Sequence, residues 1–184
     1  MKANQSALLH RNLVTIENSI LSDKWINNLM EILLRMVFIE DKDGIFNASI
    51  DKVWKLVQAH VTDGAKIHPD FKNIATKMED QNIFTCTWEE NINGQTRKMK
   101  EKGIIFYPLG VAYEFIEGPF RGSKYFVYYI PQEDNKTRVT MAGDFKLASL
   151  DSSIDNEEEN HRSIVLSAFE KVFDEDCVYL KIMQ

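Results

Sequence analysis

The chain has 184 residues, 44% hydrophobic and 27% charged, with a formal net charge of -6 at pH 7, which suits one folded domain with some extra chain and not a disordered segment. The acidic balance argues against general affinity for nucleic acid or anionic membrane surfaces, because both require a basic face. No apolar run reaches the roughly 20 residues that span a bilayer, and the N-terminus lacks the compact apolar stretch of a signal peptide. Cys86 and Cys177 lie far apart among apolar neighbours, as core thiols of a reducing, cytoplasmic compartment would.

Residues 1–34 form a segment of their own. Leu8, Leu9, Leu13, Ile16, Ile20 and Leu21, then Trp25, Ile26, Leu29, Ile32 and Leu33, recur at helical spacings, predicting a helical N-terminal extension. From Met36 the pattern becomes that of a strand, or two short strands, around Asp41-Lys42-Asp43-Gly44. Ser49 then caps a short amphipathic helix whose face carries Ile50, Val53, Trp54 and Val57. Gly64 and Pro69 predict a loop over 59–70 that holds at most one further helical turn.

From Phe71 to Leu147 the chain reads as an antiparallel meander of six strands, with turns at 79–82, 91–94, 108–110, 118–123 and 133–136. Alternation sets Phe84, Cys86 and Trp88 against Thr85, Thr87 and Glu89, and Val139, Met141, Phe145 and Leu147 against Arg138, Thr140, Asp144 and Lys146. Asp155, Glu157, Glu158 and Glu159 then suit a helix N-terminus. An apolar face from Ile164 through Phe169 and Phe173 to Met183 predicts a single closing helix of about 25 residues or more.

A meander this long needs its apolar face covered, and the terminal helix is the large apolar surface available for that. The expected fold class is α+β, a curved antiparallel sheet wrapped around a long C-terminal helix, with two short helices after the first strand. Such a sheet often retains a ligand cavity. The segments NASIDKVWKLV, HPDFKN, YPLGVAYEFIEGPFRGSKYFVYYI and TRVTMAGDFKLA, in that order, resemble the helix-grip superfamily. That group includes START lipid-transfer domains, polyketide cyclases and aromatases, coenzyme Q-binding proteins and the birch-pollen-allergen proteins. The resemblance covers residues 35–184. Residues 1–34 are then either a genuine extension, packed on the sheet or on a second subunit in a homodimer, or a mis-assigned start, with translation beginning at Met36.

For His68 two readings stand side by side: a polar group at a cavity mouth, or an imidazole facing solvent where Pro69 forces an extended backbone. In the strand 95–107, Lys98, Lys100 and Lys102 are hard to bury, so Arg97, Met99, Glu101 and Tyr107 are expected inside, with Arg97 and Glu101 paired to each other or to a ligand. Tyr113, and Tyr125 or Tyr128, would offer hydroxyls within an apolar wall. The resemblance implies a ligand between sheet and helix, which makes His68, Trp88, Arg97, Met99, Glu101, Tyr107, Tyr113, Phe120, Tyr128 and Phe169 the cavity candidates. His10, His60, His68 and His161 fall on different predicted elements without paired spacing, so neither a metal nor another cofactor is expected. Together with the absence of a catalytic constellation, the resemblance implies a module that binds or transports a small hydrophobic ligand such as a lipid, quinone, isoprenoid or polyketide-like compound. The alternatives are a polyketide cyclase or aromatase-like enzyme using Glu101, Tyr107 and His68, and a chaperone-associated adaptor.

Overall fold

The computed structural model describes residues 36–92, 94–146 and 157–183. The extension expected over 1–34, and the expectations for Leu147 and Asp155, lie outside the described residues. The elements run β1 (Met36–Phe46), α1 (Ile50–Ile67), β2 (Lys72–Met78), β3 (Ile83–Ile92), β4 (Gln95–Phe106), β5 (Gly110–Glu117), β6 (Lys124–Gln132), β7 (Lys136–Lys146) and α2 (Glu157–Ile182). The strands make one seven-stranded sheet in the order β1-β7-β6-β5-β4-β3-β2. β2 to β7 form the expected meander, each strand antiparallel to the next, and β1 lies beside β7 at the far edge. The single closing helix has 26 residues.

Alternation turns the predicted faces the expected way. Phe84, Cys86, Trp88, Met141 and Phe145 are buried, and they share a core with Trp54 and Val57 of α1 and Val165 of α2. A second core of Phe46, Val53, Leu56, Ile67 and Leu180 joins α1 to the end of α2. Two glycines let the sheet carry its rings close to the backbone. A Cβ on Gly103 would lie 2.1 Å from the ring of Phe84, its cross-strand partner, and one on Gly143 would lie 2.4 Å from the Cα of Tyr125. At Gly103 a ring, and at Gly143 the neighbouring backbone, takes the space that a side chain would need.

Helix α1 differs from expectation. Ser49 caps it as predicted, its side chain accepting from the Lys52 N–H, but the loop expected over 59–70 is helix as far as Ile67, interrupted only by non-helical dihedrals at Asp63 (φ -120°, ψ 15°). Burial of Ile67 in the second core outweighs the roughly 1 kcal/mol that a glycine costs a helix. The lack of a side chain at Gly64 also admits Ile74 of β2, whose Cδ1 would stand 3.1 Å from a Cβ there. The helix stops where Pro69 dictates: His68, the C-cap, leaves helical geometry at φ -117°, ψ 78°. Among the described residues no helix is long and apolar enough to cross a membrane.

Candidate functional site

Inward residues of the sheet, with α1 and α2, surround a cavity of about 560 Å³. Trp88, Met99, Phe115, Phe120, Met141, Phe145 and Phe169 are among the apolar residues that line it. Tyr125 is the hub of the aromatic end: its ring centroid lies 4.8 Å from Tyr113, 5.1 Å from Phe169, 5.4 Å from Phe145 and 5.8 Å from Phe115. The Tyr125 hydroxyl donates to the Glu101 carboxylate at 3.0 Å. Burial pushes the Glu101 carboxyl up to about 7, against the opposing hydrogen bond from Tyr125 and the charge of His60. Burial also drives the hydroxyls of Tyr113 and Tyr125 well above their ordinary value and raises the Cys86 thiol to about 11. Glu101 is thus a carboxyl in an apolar wall whose burial raises it toward neutral pH, and it can give or accept a proton.

The other end is ionisable and helical. His60 of α1 and His68, its C-cap, meet Glu175 and Asp176 of α2. His60 Nε2 is 3.1 Å from His68 Nε2 and 3.1 Å from Asp176 Oδ1, while His68 Nδ1 is 2.7 Å from Glu175 Oε2. Burial disfavours the imidazolium of His60, but the neighbouring Asp176 carboxylate and the Leu56 carbonyl more than offset it, so its pKa rises. For His68, burial and the nearby His60 win over Asp176 and Glu175, and its pKa falls. The rest of the HPDF stretch secures this corner: Asp70 pairs with Lys171 at 3.0 Å, and Phe71 stacks between His68 and Trp88, with centroids 5.3 and 5.5 Å away.

No protein-family profile and no curated protein sequence matches the chain, but solved structures do. The Zhui aromatase/cyclase from Streptomyces sp. R1128 superposes with a TM-score of 0.67 at 14% identity, over 79% of this chain and 94% of that one. Norcoclaurine synthase from Thalictrum flavum gives 0.60 at 11%, over 81% and 89%, and a START superfamily protein from Mycobacterium smegmatis gives 0.56 at 12%, over 79% and 97%. This chain has the helix-grip fold that these structures share.

Within this helix-grip domain, seven of the ten predicted residues line the cavity: His68, Trp88, Met99, Glu101, Tyr113, Phe120 and Phe169. His68 is 4% exposed, which overturns the solvent-facing reading. Three others stand elsewhere. Arg97 shares the parity of Met99 and Glu101 but sits toward the β3–β4 turn, exposed, with its guanidinium on Gln95, so the partner of Glu101 is Tyr125 instead. Tyr107 follows the last residue of β4, is 69% exposed, and rests its ring 5.1 Å from Trp54. Tyr128 is on the outer face of β6, 41% exposed against Phe126; Tyr125 and Tyr129 take the inward parity. His60, Glu175 and Asp176 were not foreseen. The available signal was a carboxylate on an apolar stripe, since Asp176 falls four residues after Val172 and seven after Phe169.

Proposed function

We propose that this helix-grip domain binds a small, largely apolar molecule, flat or aromatic in part and carrying a polar group, in the cavity between the sheet and α2, as a cytoplasmic carrier or sequestering protein. The observation that carries the reading is the aromatic cavity of about 560 Å³ with the Glu101–Tyr125 pair set in its wall. That volume suits a drug-sized ligand, and a few polar groups in an apolar wall are what fix a ligand's orientation. The free thiols of Cys86 and Cys177 support the reducing compartment. The test is titration of the folded chain with the apolar fluorophore N-phenylnaphthylamine. Saturable uptake at one site is expected, weakened about tenfold or more when Met99→Trp fills the floor of the cavity. A folded protein that takes up no probe refutes the reading.

One observation favours a second reading, acid–base chemistry on the bound molecule. Glu101 titrates near 7 inside the cavity, where a general acid or base for neutral pH belongs. Incubation with a poly-β-ketone thioester separates the two: an enzyme alters the product distribution, and Glu101→Gln abolishes that change while probe uptake persists.

A further inference from the structure

We propose that His60, His68 and Asp176 bind one divalent first-row transition metal ion, with a coordination position open to the cavity. The argument starts from tautomers. His60 Nδ1 lies 2.8 Å from the Leu56 carbonyl oxygen, which can only accept, so in the neutral ring the proton is on Nδ1 and Nε2 bears a lone pair; in the imidazolium a metal ion must displace the Nε2 proton. His68 Nδ1 lies 2.7 Å from the Glu175 carboxylate, and the same reasoning leaves its Nε2 bare. These two lone pairs face each other across 3.1 Å. A third lone-pair atom, Asp176 Oδ1, lies 3.1 Å from the first and 3.9 Å from the second. That oxygen is fully buried and receives no hydrogen bond.

With both rings neutral, three electron-pair donors therefore converge on one point without a hydrogen between them. A single shared proton bridges the two nitrogens and leaves Asp176 Oδ1 unmet, whereas a cation engages all three. Bonds of about 2.0–2.2 Å, as zinc forms with imidazole and carboxylate, set donor atoms about 3.0 Å apart at right angles and about 3.4 Å apart at tetrahedral angles. The observed edges of 3.1, 3.1 and 3.9 Å need adjustments of tenths of an ångström. The outer contacts fit as well: a metal-ligating imidazole commonly donates its other N–H to a backbone carbonyl or a carboxylate, and here the Leu56 carbonyl and Glu175 are placed to receive them. All three ligating residues line the cavity. A three-donor set leaves a position for water or for an oxygen of a bound molecule, such as a carbonyl or enol.

The fold explains why the spacing of the two histidines conceals the site. Residues eight apart in an unbroken helix are about 12 Å apart along its axis. With the break at Asp63 and the non-helical backbone of His68, the two ring centroids lie 5.1 Å apart.

The test uses the metal alone, on the full chain stripped with a chelator, so it is independent of the apolar-ligand reading: probe uptake can fail while metal binds, and the reverse. Cobalt(II) is expected to give visible d–d absorption that saturates at one equivalent. Zinc competition against a chromophoric chelator is expected to return a micromolar or tighter Kd. His60→Ala, His68→Ala and Asp176→Asn should each weaken zinc about 100-fold or more, and Glu175→Gln about 10- to 100-fold, the range for outer-shell partners, with circular dichroism confirming that each variant folds. The proposal is overturned if the folded wild-type chain takes up neither ion at about 100 μM free metal, a concentration far above the dissociation constant of a built site. It is overturned equally if folded variants bind as the wild type does.

Discussion

The two ends of the cavity are built on opposite principles. At the sheet end, Tyr113, Phe115, Phe145 and Phe169 surround Tyr125, and one carboxyl, Glu101, is tolerated there because a tyrosine donates to it and because it can hold a proton. At the helix end, two imidazoles and two carboxylates from α1 and α2 meet within hydrogen-bonding distance. The first end stabilises through ring packing and area removed from water. The second adds charge and lone pairs above the smaller core of Leu56, Ile67 and Leu180. A strand presents every second residue to one side, so the sheet offers a broad uniform wall. A helix can bring a few side chains to a point, so the concentrated polar chemistry lies where two helices face each other.

The comparison breaks most visibly at Tyr125. Tyr125→Ala removes the hub of the aromatic end and the partner of Glu101; a loss of about 3–5 kcal/mol is expected, as for large aromatic truncations in cores, read as a fall in the urea midpoint.

Glu101 tests the second difference. Its folded pKa is raised to about 7, so over the span from the ordinary glutamate range up to about 7 the folded protein holds a proton that the unfolded chain releases. Its contribution to stability is therefore full at low pH, is lost as pH rises through that window, and is level above it. Glu101→Gln should remove this slope, matching the wild type near pH 4 and exceeding it by about 1–3 kcal/mol at pH 8. Urea melts of both proteins across pH measure the difference, and a parallel pair of curves would contradict the assignment.

Phe71 touches both ends through Trp88 and His68. Phe71→Ala should cost about 1–2 kcal/mol, in line with one or two aromatic pairs. The smallest effect belongs to Lys171, whose ion pair with Asp70 is exposed on both sides. Lys171→Ala should change stability by less than about 1 kcal/mol and fade further in salt. A larger loss there would mean that the helix end carries more of the fold than its packing indicates.

Sequence patterns read the sheet end well and the helix end poorly. The alternation of Phe84, Cys86 and Trp88 with Thr85 and Thr87, and that of Met141 and Phe145 with Thr140, Asp144 and Lys146, defines the inner face. The same rule was silent in β6, where Tyr125-Phe126-Val127-Tyr128-Tyr129-Ile130 has no polar residue to mark a parity, and only the pairing of Tyr125 with Gly143 and Tyr113 settles which tyrosine faces inward. Arg97 and Tyr107 share the parity of the cavity residues, but parity does not say how far along a strand the cavity extends. His60 was out of reach for another reason. Gly64 and Pro69 predict a loop, and burial of Ile67 instead carries the helix to His68.

The length of α2 gives the two ends a common mechanical element. Val165, Phe169, Val172 and Asp176 follow one another at steps of four, three and four, so they form a single stripe about 16 Å long on one rod. Phe169 presses on the Tyr125 ring, and Asp176 faces the histidines. A tilt or slide of that rod to admit a larger guest beside Tyr125 must also change the separation of the donor atoms two turns away. If the cavity takes a guest and the cluster an ion, as proposed above, guest size at one end and ion affinity at the other are geared to each other through a single helix.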